Sequence, residues 1–224
     1  MHCFSIVIPI YNEKENIFSL IDEINQNLNS ETYNYEILII NDCSSDLNEI
    51  DYKNFDELKN TKIFSNHRNL GQSYSLISGK KKSKNNTILT LDGDGQNNPI
   101  DIPKLVNLYF SNNQIYMVGG IRNKRKDSLT KLLASKIANK FRKSILNDQC
   151  DDTGCALKIF DKKTFLKFPE FDGLHRFLPA FFLAYKKKPL YINVDHRPRL
   201  KGTSKYGIFK RLINGLRDLY KVKK

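Results

Sequence analysis

The feature that most constrains this chain is a set of short apolar runs, Phe4 to Ile8, Glu36 to Ile40, Thr61 to Phe64 and Thr87 to Leu91, each bounded by Asn, Asp or Gly. Stretches with helical spacing lie between several of them. Strands that alternate with helices pack as a mainly parallel sheet with helices on its faces, because a parallel pair needs a crossover and the helix supplies it. Ile17 to Leu28 carries apolar residues at 17, 20, 21, 24 and 28, a stripe that fits one helix face. Further helices are predicted from Gly71 to about Lys81 and from Ile102 to Phe110, then a strand through Ile115 to Val118. Ser128 to Leu146 reads as one amphipathic helix, with Leu129, Leu132, Leu133, Ile137, Phe141 and Ile145 on one face and lysines and arginines solvated on the other. A strand at Ala156 to Phe160, a short helix near Phe177 to Ala184, a strand at Leu190 to Val194 and a terminal helix from Tyr206 to about Tyr220 follow. The expected class is α/β in one domain over 1–224, with a core from about 4 to 200 and a basic amphipathic tail helix over 206–224.

At 224 residues with 40% hydrophobic and 27% charged residues, the chain can bury one sizeable core. Its longest apolar stretches, Ile6 to Ile10 and Ala180 to Tyr185, fall far short of the roughly 20 residues that span a bilayer. The N-terminus has no basic region before its apolar run, so no cleaved signal is expected and the protein is placed in the cytoplasm. Cys3, Cys43, Cys150 and Cys155 show no CxxC spacing and are read as reduced thiols. A net charge of +13 implies anionic partners. It is concentrated late: Arg122 to Lys143 holds nine basic residues and one acid, Lys201 to Lys224 eight and one.

In open α/β sheets ligands bind beyond the carboxyl ends of the strands. Asn12-Glu13, Asp42 and Asp92-Gly93-Asp94-Gly95-Gln96 all follow predicted strands, which brings three polar clusters to one sheet edge. No G-x-G-x-x-G follows the first strand and no Walker A sequence occurs, so the dinucleotide and P-loop readings lack their signatures. Two carboxylates and an amide at a strand end suit a hard divalent cation, which takes oxygen ligands and shares them with substrate phosphates.

The ordered set Ile6-Val7-Ile8-Pro9-Ile10-Tyr11-Asn12-Glu13, Asn41-Asp42-Cys43-Ser44-Ser45-Asp46, Asn69-Leu70-Gly71 and Asp92-Gly93-Asp94-Gly95-Gln96 resembles the inverting family-2 glycosyltransferases. Asp152-Thr153-Gly154-Cys155, His175-Arg176-Phe177-Leu178-Pro179 and His196-Arg197-Pro198-Arg199 through Ser204-Lys205-Tyr206 look like the polyprenyl-phosphate sugar synthases, the group of dolichol-phosphate mannose synthase. The resemblance runs from Phe4 to about Tyr220. It implies a GT-A (Rossmann-like) fold, a nucleotide-sugar donor, Mg²⁺ or Mn²⁺, and a polyprenyl or dolichyl phosphate acceptor.

Residue by residue, the resemblance matches Pro9, Tyr11 and Glu13 to the first nucleotide-binding turn and Asp42 to a contact with the base. Asn41 and Cys43 stand where the family pattern has Asp and Gly. Asp92 is matched to a donor contact, and Asp94 and Gln96 to the metal that bridges the diphosphate, so that Asp92 and Asp94 count among the catalytic residues. Arg122, Lys131 and Ser135 match positions that hold the acceptor phosphate. Arg197, Arg199 and Lys205 match a loop over the donor and acceptor phosphates, Arg197 on the donor side and the other two on the acceptor side. Asp152 matches the family's candidate catalytic acid. A phosphate monoester with a second pKa near 6 is already largely a dianion at neutral pH, so the role of Asp152 stays open between general base and orienting group. His175-Arg176 is either an acceptor contact or a structural helix-start pair.

The expected function is inverting transfer of a sugar, mannose from GDP-mannose first, to polyprenyl phosphate at the cytoplasmic face of a membrane. Glucose, a modified arabinose or a uronic acid from a uridine donor are the other sugars the motifs allow. The basic tail and an anionic bilayer are expected partners, and a membrane-embedded partner subunit is one way to hold the enzyme there. One rival keeps the fold and moves the sugar to a glycan or protein hydroxyl, which needs a true general base. A nucleic-acid-binding reading finds no helix-turn-helix, zinc-finger spacing or RNA-binding aromatic motif, and its acidic clusters repel phosphates.

Overall fold

The computed structural model describes residues 1–123 and 142–199, with 218, 219 and 222 besides. Among the described residues seven strands form one sheet: β1 (His2–Ile10), β2 (Tyr33–Asn41), β3 (Thr61–Ser65), β4 (Thr87–Thr90), β5 (Met117–Arg122), β6 (Lys158–Asp161) and β7 (Leu190–Val194). Their spatial order is β3-β2-β1-β4-β6-β5-β7. β1 runs parallel to β2 and β4, β2 parallel to β3, and β5 parallel to β7, while β6 is antiparallel to both of its neighbours. Two reversals cancel, so every strand except β6 points the same way. The carboxyl ends of six strands, and the amino end of β6, therefore meet at one edge.

Among the described residues, and besides the helical 142–146, six helices flank the sheet: α1 (Lys14–Asn27), α2 (Glu49–Glu57), α3 (Gln72–Lys82), α4 (Ile102–Phe110), α5 (Lys162–Phe165) and α6 (Leu178–Ala184). The predicted stripe on α1 is the buried one, with Ile17, Leu20, Ile21 and Ile24 fully covered and Leu28 just beyond its end. At about 1.5–3 kcal/mol for each fully buried aliphatic side chain, this one helix face contributes substantially to holding the layer together. Strand alternation then splits the core in two. Ile6, Ile8, Ile37, Ile39 and Leu89 face α1 and α4, while Val7, Leu38, Ile40 and Ile88 face α3 and the phenylalanines of α5 and α6.

Three expectations shift. The strand placed at Ile115 to Val118 starts at Met117 and runs to Arg122, and the one placed at Ala156 to Phe160 occupies Lys158–Asp161. α2 was not foreseen; it buries little more than Phe55 and Asp51, so it has no stripe, but Asn48 and Asp51 form a reciprocal capping box that starts it. Of the long basic helix expected over 128–146, residues 142–146 are helical and the remainder lies outside the described residues, as does the tail helix apart from 218, 219 and 222. Arg142 departs from the solvated basic face expected of it, being only 6% exposed.

Candidate active site

Two strand-end loops lace together first. Beyond β1, Asn12 takes a positive φ of 53°, its amide N–H donates to Ser44 Oγ at 2.9 Å, and its Oδ1 accepts from Ser45 N at 2.8 Å. Beyond β2, the Asn41 amide is spent on the scaffold, accepting from Ser44 N and donating to the Tyr52 hydroxyl at 2.7 Å. Asp42 accepts from Asn66 Nδ2 at 2.8 Å, Leu70 N at 2.9 Å and Gly71 N at 2.7 Å. It thereby fixes the Asn69-Leu70-Gly71 turn at the start of α3. A carboxylate offers about four lone-pair positions, so three of those of Asp42 are taken by these bonds. Pro9 is the penultimate residue of β1, and Tyr11, 38% exposed, stands just past the strand's end.

The Asp92 to Gln96 turn leaves β4 directly beside β1. A Cβ on Gly93 would lie 2.6 Å from Ile10 Cγ2, so only glycine lets the two carboxylates sit this close to the sheet. Asp92 Oδ1 accepts from Gln72 Nε2 at 2.6 Å, and Asp94 Oδ1 from Gln96 N at 3.0 Å. Burial, then the charge of Asp94, push the Asp92 carboxyl well above the usual carboxylate range, and the cations of Lys158, Arg122 and Arg199 pull it partly back. Arg199 reaches in from the segment after β7, donating from Nη1 to Glu13 Oε1 at 2.8 Å and from Nη2 to Asp94 Oδ2 at 2.9 Å. Arg197 N donates to Gln96 O at 3.1 Å and its guanidinium grips Glu23, while His196 forms a bridge with Asn97.

This cluster fits a divalent cation. Its donors are hard carboxylate oxygens, their mutual repulsion shows in Asp92, and a guanidinium already rests on Asp94. Among the described residues no three His, Cys, Asp or Glu side chains close into a full cage, so the protein would supply one or two oxygens through Asp94 and its neighbours and a diphosphate the others.

Opposite lies a basic half. Arg122, the last residue of β5, forms a two-pronged pair with Asp152, from Nε to Oδ2 and from Nη2 to Oδ1, both at 2.7 Å. Among the described residues nothing accepts from Nη1. Burial works against the Arg122 charge, but the Asp152 bonds outweigh it and hold the guanidinium protonated. Lys158, 4% exposed, donates to the Thr153 and Cys155 carbonyls. His175 Nδ1 lies 2.7 Å from Ser73 Oγ. Ser73 Oγ accepts from Gly173 N at 3.0 Å and from His175 N at 3.4 Å, which uses both of its lone pairs and leaves its proton for His175 Nδ1, so the neutral ring carries its own proton on Nε2. Burial, then the charges of Arg176 and Lys158, hold the His175 pKa well below its ordinary value.

The fold thus gathers Pro9, Tyr11, Glu13, Asp42, Asp92, Asp94, Gln96, Arg122, Asp152, Arg197 and Arg199 at one sheet edge. Lys131, Ser135 and Lys205 lie outside the described residues. Gln72 and Lys158 were missed. A lone lysine inside the apolar run Ala156 to Phe160 was the available signal for the second, since a charge there must find buried partners.

An undecaprenyl-phosphate 4-deoxy-4-formamido-L-arabinose transferase of Aeromonas hydrophila is 29% identical over 217 residues, 96% of this chain. The chain spans 66% of that relative's length, just under two thirds. Glucosyl-3-phosphoglycerate synthase of Mycobacterium tuberculosis in complex with uridine diphosphate matches with a TM-score of 0.75 at 15% identity, over 99% of this chain and 80% of that one. The same enzyme with Mn²⁺, uridine-diphosphate-glucose and phosphoglyceric acid gives 0.73 at 15% identity, over 99% and 78%. This likeness shows the fold, GT-A, with its mainly parallel sheet flanked by helices. The profile of Glycosyl transferase family 2 matches residues 5–189, and the chain belongs to that family.

Proposed function

We propose that this enzyme transfers a sugar from a nucleoside diphosphate to the phosphate of a polyprenyl chain, with inversion at the anomeric carbon. The observation that carries the reading is Arg122: its Nε and Nη2 are held by Asp152, and Nη1 presents two N–H groups with no acceptor among the described residues. An anion is the natural partner for such a group. It stands at the same sheet edge as Asp92 and Asp94, so donor and acceptor phosphates would approach from opposite sides. Asp152, with both oxygens on Arg122, is poorly placed to act as a base, and a phosphate dianion requires none. That favours a phosphate over a hydroxyl acceptor. When bound, the divalent cation would neutralise charge on the departing diphosphate, with Asp94 and Gln96 as its proposed protein ligands.

The donor reading has two sides. The motif set favours GDP-mannose. The uridine nucleotides in the M. tuberculosis enzyme favour a uridine-linked donor, the name of the A. hydrophila relative favours a formamido-arabinose as the sugar, and Asp42 with one lone pair left suits a uracil or guanine N–H equally. We infer docking at the cytoplasmic face of a membrane through the basic segments of 122–143 and 201–224, where each cation near an anionic surface adds about 1 kcal/mol. No helix among the described residues is long and apolar enough to cross a membrane. The test is incubation with labelled GDP-mannose, UDP-glucose and a uridine-linked 4-formamido-arabinose, with Mg²⁺ or Mn²⁺ and a short polyprenyl phosphate. Metal-dependent label in the lipid phosphate supports the proposal, and transfer only to a glycan or protein hydroxyl, or no lipid product with any donor, sinks it.

A further inference from the structure

Behind Arg122 the segment 148–155 buries three polar side chains, while Gln149, Asp151 and Gly154 stay exposed. Asp148 is 1% exposed, Asp152 6%, Thr153 8%, and the two cations that hold them, Arg142 and Lys158, 6% and 4%. Arg142 donates from Nη1 to Thr153 Oγ1 at 2.6 Å and from Nη2 to Asp148 Oδ1 at 3.1 Å and to the Cys150 carbonyl, with Nε 2.8 Å from Asp148 Oδ2. Lys158 grips the same turn from the sheet side, through the carbonyls of Thr153 and Cys155. Thr153 is thus clamped twice, by its hydroxyl and by its carbonyl. The residue between these anchors and Arg122 is Asp152.

Burying so much charge is a poor way to gain stability, since desolvation offsets much of the pairing and apolar residues of similar volume often do as well. What the clamp fixes is direction. A guanidinium is planar, so once Nε and Nη2 are committed to Asp152, the two Nη1 N–H groups point along a line set by the Asp152 carboxylate. A Cβ at Gly154 would lie 2.9 Å from Arg122 Nη2, so the turn also packs flush against the guanidinium. A small rotation of the turn would swing the aim of Nη1.

We propose that Arg142 is a positioning residue for the acceptor subsite: through Thr153 and Asp148 it sets the orientation of Asp152, and through Asp152 the direction of the Arg122 Nη1 donors toward an acceptor phosphate. This rests on the reading of Arg122 as the phosphate-holding group. Arg142 itself touches no substrate.

Thr153→Val removes the acceptor of Arg142 Nη1 at nearly constant volume, Thr153→Ser keeps it, and Arg142→Lys keeps the charge but not the fork. Two readouts are taken, steady-state KM for donor and for a short polyprenyl phosphate, and the Arg122 Nε–H resonance in ¹⁵N-labelled protein. The expected result is an acceptor KM raised about tenfold by Thr153→Val with donor KM within about twofold, the loss expected for one weakened charge-assisted contact. The Nε–H resonance shifts and exchanges faster in that variant, and Thr153→Ser restores both values. Should Thr153→Val not fold, Arg142→Lys is held to the same criteria. An unchanged resonance and unchanged acceptor KM in a folded variant overturns the proposal, and so does a parallel rise of both KM values that Thr153→Ser does not reverse. If the wild-type protein accepts no polyprenyl phosphate, the acceptor reading fails by itself, and the resonance still decides whether Arg142 orients Arg122.

Discussion

Arg199→Ala separates the two carboxylates at the centre of the donor half from the cation that now joins them. Glu13 and Asp94 side chains are 10% and 12% exposed and Arg199 22%, so the contacts are largely but not fully desolvated. Charge-assisted hydrogen bonds contribute about 1.5–3 kcal/mol each, and partial exposure puts the pair near the lower end, about 3 kcal/mol in total. For a domain of this size that loss corresponds to a Tm lower by roughly 6–12 °C without metal. A divalent cation should then stabilise the variant more than the wild type, because it binds Asp94 without first displacing a guanidinium. At a metal concentration of about 100 Kd the variant gains about 2.7 kcal/mol, returning most of the loss. Thermal unfolding followed across a Mn²⁺ titration reads both numbers. Equal Tm values without metal, or equal metal-induced increments in the two proteins, would refute the view that Arg199 and the cation compete for one carboxylate.

Asp94→Asn should abolish metal-dependent turnover while the protein stays folded, since the amide keeps the shape but not the charge; unchanged activity at saturating Mg²⁺ or Mn²⁺ removes the metal assignment. Arg122→Ala should raise acceptor KM more than donor KM and, by removing the two-pronged partner of the buried Asp152, destabilise by about 3 kcal/mol. Adding Asp152→Asn should restore stability in urea unfolding without restoring acceptor binding, and recovery of both would reassign the pair to a purely structural role. The folded-state pKa of His175 lies below its unfolded value, so its contribution to stability is complete above about pH 6.5 and is lost as pH falls toward the folded pKa. The urea midpoint should therefore drop between pH 7 and 5, with a smaller drop in His175→Asn, whose Oδ1 can replace Nδ1 as the acceptor from Ser73; identical slopes would exclude His175 as the group responsible.

Much of this arrangement was legible in the residues. All seven strands were foreseen because each is a run of apolar residues ended by a polar turn, and burial on both faces of a central sheet demands such runs. The reversed direction of β6 was not, since an apolar run looks the same read either way along the sheet. α2 escaped for want of a stripe, although its capping box was visible at Asn48 and Asp51. The carboxylates of the site stood out because strand ends locate them. Arg142, Lys158 and Gln72 did not, because their meaning lies in partners that only folding brings near: Thr153 and Asp148 for the first, a turn's carbonyls for the second, and Asp92 for the third. Arg142 in particular shared its basic helix pattern with residues whose charge was expected to face water.

The proposed step is attack of an acceptor phosphate oxygen on the anomeric carbon while the nucleoside diphosphate leaves from the opposite face. It is tested most directly with polyprenyl phosphate carrying ¹⁸O in its three terminal oxygens, incubated with whichever donor the panel selects. The expected product is a sugar phosphate lipid that keeps all three labelled oxygens, one of them now bridging to the sugar, with the anomeric configuration inverted relative to the donor. Loss of a labelled oxygen, retention of configuration, or sugar found only on a hydroxyl acceptor would contradict it.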